Sequence, residues 1–352
     1  MKVLFLNYYS QCYGGAETYW HETTKGLADY GVNVLKLSLT KGDQKLLINT
    51  INDFWPDVIH LNKSDLFLKL IKSKFNIPTV VTVHDYYTIP FPVTIKNNVK
   101  SIIRDHAFLA DKYIIPASHY FHSLNKKNIP DIHFIPHFID TNKWVFNLNN
   151  YCAKNKILFV GRLEKLKGID VLIKAAKILR RRNNSVHLTI IGEGNEKESI
   201  QKKIIAEGLS KNINIVGPKS HRDILKIFHA STLLVVPTVK NELFGLVGLE
   251  AQASGLPVLA SDLPGIREWC LHGKTGMTVR PNDPHALALN IEFLLENPEL
   301  REKLRYNGRK YAEVTFTKQK SIRELTFLYQ RLIKHDQPST AEKIPSTQRE
   351  SL

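Results

Sequence analysis

The chain has 352 residues, 43% hydrophobic and 23% charged, which is the balance of a globular protein and excludes a disordered one. No apolar run approaches the ~18 residues of a membrane span, and the three cysteines, Cys12, Cys152 and Cys270, have neither metal-ligand spacing nor a disulfide pattern. The formal net charge of +16, positive in both halves, favours anionic partners such as phosphates, an acidic glycan or an anionic bilayer.

"KVLFLN" opens the chain as a β-strand, with too short an apolar core and no small-residue cleavage site for a signal peptide. A helical pattern, "AETYWHETTKGLADYG", follows. Strands are then predicted at "VNVLKLS", "DVIHLN", "PTVVTVH" and "KYIIPAS". After the polar stretch "NKWVFNLNNYCAKN" the series restarts, with strands "KILFVGR", "HLTIIGEG", "INIVG", "TLLVVPT" and "PVLAS". Helical patterns "IDVLIKAAKILRRRNN" and "EKESIQKKIIAEG" lie between them. Strands alternating with helices predict parallel sheets covered on both faces, and the restart predicts two doubly wound α/β domains with a ligand cleft between them. The limits read as 1–150 for the first domain, 151–317 for the second, 318–335 for a helix bracing the two and 336–352 for a disordered, polar tail.

Four constellations fall where such sheets bind ligands, at the carboxyl ends of strands. "ELFGLVGLEAQASG" (242–255) carries Glu242 and Glu250 with only glycine and apolar residues between. Gly255 and Pro257 end its helix, which is expected to begin near Phe244 and Gly245. The unpaired amides of that first turn, through Leu246, make an anion site. Glu250, almost two turns inside, is placed to accept hydrogen bonds from two ribose hydroxyls; the plain alternative is a capping acid plus a solvated one. "VGRLEKLKG" (160–168) ends a strand at Gly161 and follows it with Arg162 and Lys167, a planar fork and a compact charge suited to a pyrophosphate. Taken alone, these are two surface cations. Gly14 and Gly15 in "YYSQCYGGAETYW" form either a ligand-approach loop or a tight turn, and His84 in "TVVTVHDYY" ends a strand on the same rim. No Asp-x-Asp occurs anywhere in the chain, so a metal held by that motif has no support.

Taken in order, "GGAE", "HD", "GRLEKLKG", the Glu242/Glu250 pair, and "PVLAS" followed by "PGIRE" resemble the retaining glycosyltransferases of family 4 over roughly residues 1 to 330. The resemblance implies the GT-B fold, two Rossmann-like domains facing across a cleft, with the last helix crossing back to the first domain. It implies a nucleotide-sugar donor on the second domain, a UDP-sugar by default and a GDP-sugar otherwise, and a glycan or lipid-linked acceptor on the first. Arg162 and Lys167 would neutralise the diphosphate, Glu250 would hold the ribose and Glu242 the donor sugar. The backbone at Gly161, Phe244, Gly245 and Leu246 would support phosphate and sugar, while Gly14, Gly15 and His84 would line the reaction centre opposite. The implied enzyme keeps the anomeric configuration and uses neither cofactor nor metal. It would be cytoplasmic, in cell-surface glycan or glycoconjugate synthesis.

The chain departs from the family at Pro264-Gly265, where a glycine pair is usual, at Arg267, where Pro is usual, and at "IPHFID" (135–140), which replaces a more usual "IPNGxD". A nucleotide-sugar epimerase or a glycosyl phosphorylase would use similar contacts. A basic nucleic-acid-binding protein, prompted by the charge and "LRRRNN", lacks a recognition helix, an aromatic RNA-binding strand or a zinc finger, so no specific nucleic acid is expected. Basic and apolar residues mix in "KSDLFLKLIKSKF" (Lys63, Leu66, Phe67, Lys69, Leu70, Ile71, Lys72, Lys74) and in "IKNNVKSIIRDHAF" (Lys96, Lys100, Ile102, Ile103, Arg104). These patches raise peripheral contact with an anionic membrane. The plainer reading of the first is a helix face packed on its sheet.

Overall fold

The computed structural model describes residues 1–8, 15–62, 67–84, 110–115, 132–146, 155–182, 186–240 and 242–336. Two six-stranded, wholly parallel sheets organise them. The first contains β1 (Lys2–Tyr8), β2 (Asn33–Leu39), β3 (Val58–Asn62), β4 (Thr79–Thr82), β5 (Lys112–Ile115) and β6 (Ile132–Phe134), in the order β2-β1-β3-β4-β5-β6. The second contains β7 (Lys156–Val160), β8 (His187–Ile191), β9 (Ile213–Ile215), β10 (Leu233–Val236), β11 (Val258–Ser261) and β12 (Met277–Val279), in the order β12-β11-β10-β7-β8-β9. Numbered within its own domain, the second order is the doubly wound 3-2-1-4-5-6, with its topological switch between β7 and β10. The first sheet switches between β1 and β3. Ligands are expected outside the carboxyl ends of those strands, which fixes where to look.

The central strands are apolar on both faces, as burial by helices on both sides requires: β3, β4, β10 and β11 are buried along their whole lengths. The helices of the first half are α1 (Gly15–Asp29), α2 (Gln44–Phe54) and α3 (Leu68–Lys74). In the second half are α4 (Ile169–Arg181), α5 (Lys197–Ala206), α6 (His221–His229), α7 (Leu246–Ala253), α8 (Pro264–Arg267), α9 (Pro284–Glu296) and α10 (Pro298–Thr315). Each long one turns an apolar stripe inward. Helix α4, for example, buries Val171, Leu172, Ala175, Ala176 and Leu179 at helical spacing while its lysines and arginines face out.

Helix α11 (Lys318–Asp336) returns to the first sheet. Its Ile322, Leu325, Leu328, Tyr329 and Leu332 join one buried cluster with Val3 and Phe5 of β1 and with Tyr19 and Trp20 of α1. A buried polar clasp fixes its register. The His60 ring stacks on Phe5 at 4.0 Å, hydrogen-bonds the Tyr329 hydroxyl through Nδ1 and pairs its Nε2 with Thr82 Oγ1 at 2.6 Å. Burial drives the His60 pKa down to about 3, so this imidazole stays neutral. The two crossings between the sheets run side by side. The Ile139 amide donates to the Phe316 carbonyl at 2.9 Å, and the Ser321 hydroxyl donates to the Pro136 carbonyl at 3.0 Å.

Phe67, Leu68 and Ile71 are buried in the core and Lys72 pairs with Asp111 at 2.5 Å, so the apolar face of α3 packs inward, leaving Lys69 and Lys74 exposed. That face is not free for a bilayer. Lys63, Leu66, the whole 95–108 patch, Gly14, Cys12, Cys152 and residues 337–352 lie outside the described residues. Two strands escape sequence reading, β6 and β12. Both are three-residue edge strands, too short to show a period, as is β9, which Ile213, Ile215 and the closing Gly217 mark instead.

Candidate active site

At the switch point of the second sheet, the loops leaving β7 and β10 lie against each other. The Val239 amide donates to the Leu166 carbonyl at 2.8 Å, and Gly168 sits at φ 72° with its would-be Cβ 1.9 Å from the Pro237 carbonyl oxygen. Any side chain there would prise the loops apart, which explains the glycine closing "GRLEKLKG". Lys167 belongs to a 3₁₀ turn, Lys165–Lys167, and its ammonium meets Glu242 Oε2 at 2.6 Å. Thr238 donates its hydroxyl to the same oxygen at 3.1 Å. The structure thus brings together two residues that are 75 positions apart in the chain. Arg162 stands beside them on the loop, 63% exposed along its side chain and paired with Glu164 at 2.6 Å. Gly161 is held by its amide to the Ile191 carbonyl at 3.0 Å, so β8 fixes the start of this loop.

Helix α7 begins at Leu246, one residue later than the sequence suggests, because Gly245 takes a left-handed φ of 82° as its N-cap. No side chain caps that end. Its first-turn amides therefore have no acceptor from a capping side chain. Trp269 holds the approach to the helix: its indole N–H donates to the Phe244 carbonyl at 2.5 Å, and its ring lies on Gly248, where a Cβ would come within 2.0 Å of ring carbon. Trp269 is wholly buried. Leu243 and Phe244 are buried as well, so the segment that carries Glu242 is built into the core rather than hung from it.

Glu250 is 9% exposed and its carboxylate has no hydrogen-bond partner among the described residues. Burial raises its pKa to about 7, an effect partly offset by Lys143 and reinforced by Glu22. It opens onto a pocket between the domains, shared with Glu22, His137, Asp140, Lys143 and Leu246. Lys143 is itself paired with Glu22 at 3.1 Å. A half-neutral buried acid with free acceptor oxygens is suited to receiving hydroxyl donors.

The first domain supplies the facing wall. Gly15, at the start of α1, would place a Cβ 3.4 Å from Leu246 Cδ1, so the N-terminal ends of α1 and α7 meet across the cleft. His84, two residues beyond β4, hydrogen-bonds Asn62 Oδ1 through Nε2 at 2.7 Å, and Asn62 donates in turn to Asn7 Oδ1 at 3.1 Å. These asparagines end β3 and approach the end of β1, at the first sheet's own switch point. The Tyr19 ring packs edge-on against His84 at 5.0 Å and His137 at 5.3 Å. Sequence reading missed Asn7, Asn62, Tyr19, Lys143 and Trp269 as contributors. Only His137 carried a signal, as the odd residue in "IPHFID". Among the described residues, no group of three or more His, Cys, Asp or Glu side chains is placed to hold a metal ion.

Residues 140–311 match the family model described as glycosyl transferases group 1. An uncharacterized glycosyltransferase of Methanocaldococcus jannaschii is 28% identical over 264 residues, covering 75% of this chain and 71% of the relative. A capsular polysaccharide biosynthesis glycosyltransferase of Staphylococcus aureus is 32% identical over 200 residues, covering 56% of this chain and 52% of that protein. The chain spans about half the length, or less, of most of the curated relatives it matches. An Anabaena protein solved in complex with UDP-glucose superposes with a TM-score of 0.79 at 19% identity, over 94% of this chain and all of that one. The fold is GT-B.

Proposed function

We propose, for a chain whose residues 140–311 are a glycosyl transferases group 1 domain on a GT-B fold, that it is a retaining family 4 enzyme. It would move a sugar from a nucleotide diphosphate to a glycan or lipid-linked acceptor. The observation that carries this reading is the meeting of Lys167 and Glu242 at the switch point ahead of the uncapped start of α7, with the unpartnered Glu250 carboxylate further along that helix opening onto the interdomain pocket. UDP is the favoured nucleotide. The Anabaena structure, similar in fold, was solved with UDP-glucose.

Cleaving the glycosyl–phosphate bond leaves charge on the diphosphate, and pre-placed cations and amides lower that barrier. Arg162, Lys167 and the α7 amides supply them. Lys167 is paired with Glu242, so donor binding would exchange one anionic partner for another and free Glu242 for the sugar. The departing diphosphate is a stable anion, so transfer needs no strong general acid; its oxygen can take the acceptor proton as the new bond forms on the same face. Cell-surface glycan synthesis in the cytoplasm fits such a donor and acceptor pair. Hydrolysis or transfer of UDP-glucose, UDP-galactose, UDP-N-acetylglucosamine and GDP-mannose tests the reading. Donor turnover with anomeric retention is expected, and a protein that turns over none of them with any glycan acceptor overturns it. An epimerase would instead convert its donor with no second sugar present.

Because the diphosphate charge is met by side chains and amides, EDTA is expected to leave turnover within about two-fold of the untreated enzyme, as read by UDP release. Complete loss in EDTA, restored by manganese or magnesium, would show the leaving group to be held differently.

Among the described residues, no helix is long and apolar enough to cross a membrane. A peripheral, charge-driven contact with an anionic inner membrane would rest on the exposed Lys69 and Lys74 together with the basic residues of 95–108. Each cation near the surface contributes about 1 kcal/mol, and salt screens it. Flotation with anionic vesicles at low salt, lost at high salt and after Lys96, Lys100 and Arg104 are changed to Ser, is the expected result. Failure to float at low salt ends the membrane proposal.

A further inference from the structure

His137 is 5% exposed, and its Nδ1 is a buried polar atom with no hydrogen-bond partner among the described residues. An orphaned group of this kind costs about 1–3 kcal/mol, so its persistence calls for a partner that arrives with a ligand. The ring is held in place on three sides. Tyr19 meets it edge-on at 5.3 Å, His84 stacks beside it at 5.8 Å, and Phe244 of the second domain lies 5.0 Å away. It lines the same interdomain pocket as Leu246 and Glu250. Burial lowers its pKa to about 3, so the imidazole is neutral and offers one donor and one acceptor.

Resting on the nucleotide-sugar reading, we infer that His137 is a specificity-determining contact that hydrogen-bonds a hydroxyl of the transferred sugar. The reasoning turns on position. Phe244 belongs to the segment that leads into α7, whose amides face the diphosphate, and Glu250 waits for the ribose. A sugar attached to that diphosphate must lie between α7 and the first domain, where His137 and His84 close the wall. A neutral imidazole there accepts from or donates to a hydroxyl without adding charge. It also adds no positive charge to the pocket's carboxylates, Glu22, Asp140 and Glu250, which face Lys143 and, at Glu22, Lys318 as well. Such a wall suits an uncharged, hydroxyl-bearing sugar over one carrying a carboxylate.

The test is calorimetric titration of the full chain with UDP, GDP, UDP-glucose, UDP-galactose, UDP-N-acetylglucosamine and GDP-mannose, in wild type, His137→Phe and His137→Asn. Phenylalanine keeps the ring packing and removes the nitrogens; asparagine keeps a hydrogen-bonding group in a smaller volume. For the tightest nucleotide sugar, His137→Phe is expected to weaken binding about ten-fold, the equivalent of ~1.4 kcal/mol. The matching bare nucleotide should shift less than two-fold. His137→Asn should recover at least part of the loss. Equal weakening of nucleotide and nucleotide sugar would mark His137 as a structural residue and overturn the inference, as would no weakening of either. A wild-type protein that binds neither UDP nor GDP would remove the nucleotide-sugar reading itself, and this inference with it. Wild-type nucleotide binding with an unchanged His137→Phe variant contradicts the inference alone.

Discussion

Replacing Lys167 with alanine is expected to lower donor turnover by roughly 10²–10³-fold, the usual cost of removing one charge-stabilising donor from a leaving group. The structure makes the effect larger than the loss of a cation. Glu242, whose side chain is 11% exposed, would be left, among the described residues, with only the Thr238 hydroxyl and would place an unbalanced negative charge where the proposed site receives the diphosphate. Lys167→Ala should therefore weaken donor binding as well as slow the chemical step. Adding Glu242→Gln to it should restore part of the binding but little of the turnover, a non-additivity expected of groups in direct contact. Arg162→Ala falls in the same class, with less repulsion because Arg162 is more exposed and pairs with Glu164 instead. Initial rates of UDP-sugar turnover with UDP affinity measured alongside decide this. Wild-type turnover in a folded Lys167→Ala protein would sink the site assignment.

The second large effect concerns Glu250 and has opposite signs for stability and for binding. An unfolded glutamate titrates near 4.5, whereas burial holds Glu250 at about 7 in the folded chain. Between those values the folded state keeps a proton that the unfolded state has released, so stability falls as pH rises from about 4.5 to 7 and levels off above. The loss is on the order of 1–3 kcal/mol. Glu250→Gln cannot ionise. It should match wild type near pH 4.5 and melt a few degrees higher at pH 8, in the absence of nucleotide. Ribose hydroxyls, however, donate best to the ionised acid. Wild-type affinity for UDP-glucose, whose diphosphate has no proton to lose in this range, should rise several-fold between pH 6 and 8. The Gln variant should bind about 10-fold more weakly at pH 8, with little pH dependence. Parallel melting curves at both pH values, or equal affinity of the two proteins at pH 8, would contradict the role.

Most of this arrangement is legible in the residues. Alternation of apolar strands with helical patterns and the restart near Lys156 give parallel sheets in two domains, because most strands are long enough to show their composition. The short edge strands β6 and β12 are not, and the equally short β9 is marked only by Ile213, Ile215 and the closing Gly217. Lys167 and Glu242 can each be singled out from their loops, but their ion pair cannot, since it depends on β7 and β10 being neighbours. That adjacency is a consequence of the topology and of no local pattern. The same holds for the wall of the first domain. Asn62 and Tyr19 look like ordinary strand and helix residues until the sheet order sets them around His84. Trp269 reads as a core residue, and it is one. What the sequence hides is that its N–H fixes the carbonyl of Phe244 and, through it, the entry to α7.

The expected helix start differs from the observed one for a physical reason. Phe244 is buried against the indole and Gly245 turns left-handed, so the chain enters the helix only at Leu246. Leu246, the first helical residue, packs its side chain near Gly15, where an added Cβ would lie 3.4 Å from Leu246 Cδ1.

The decisive measurement is a crystal structure of the protein with UDP bound. The diphosphate is expected against the first-turn amides of α7, within reach of Arg162 and Lys167, with both ribose hydroxyls on the Glu250 carboxylate and the Lys167–Glu242 pair broken. A nucleotide seated elsewhere, or one in this cleft that leaves Glu250 unpartnered and Lys167 still on Glu242, would contradict the site assignment.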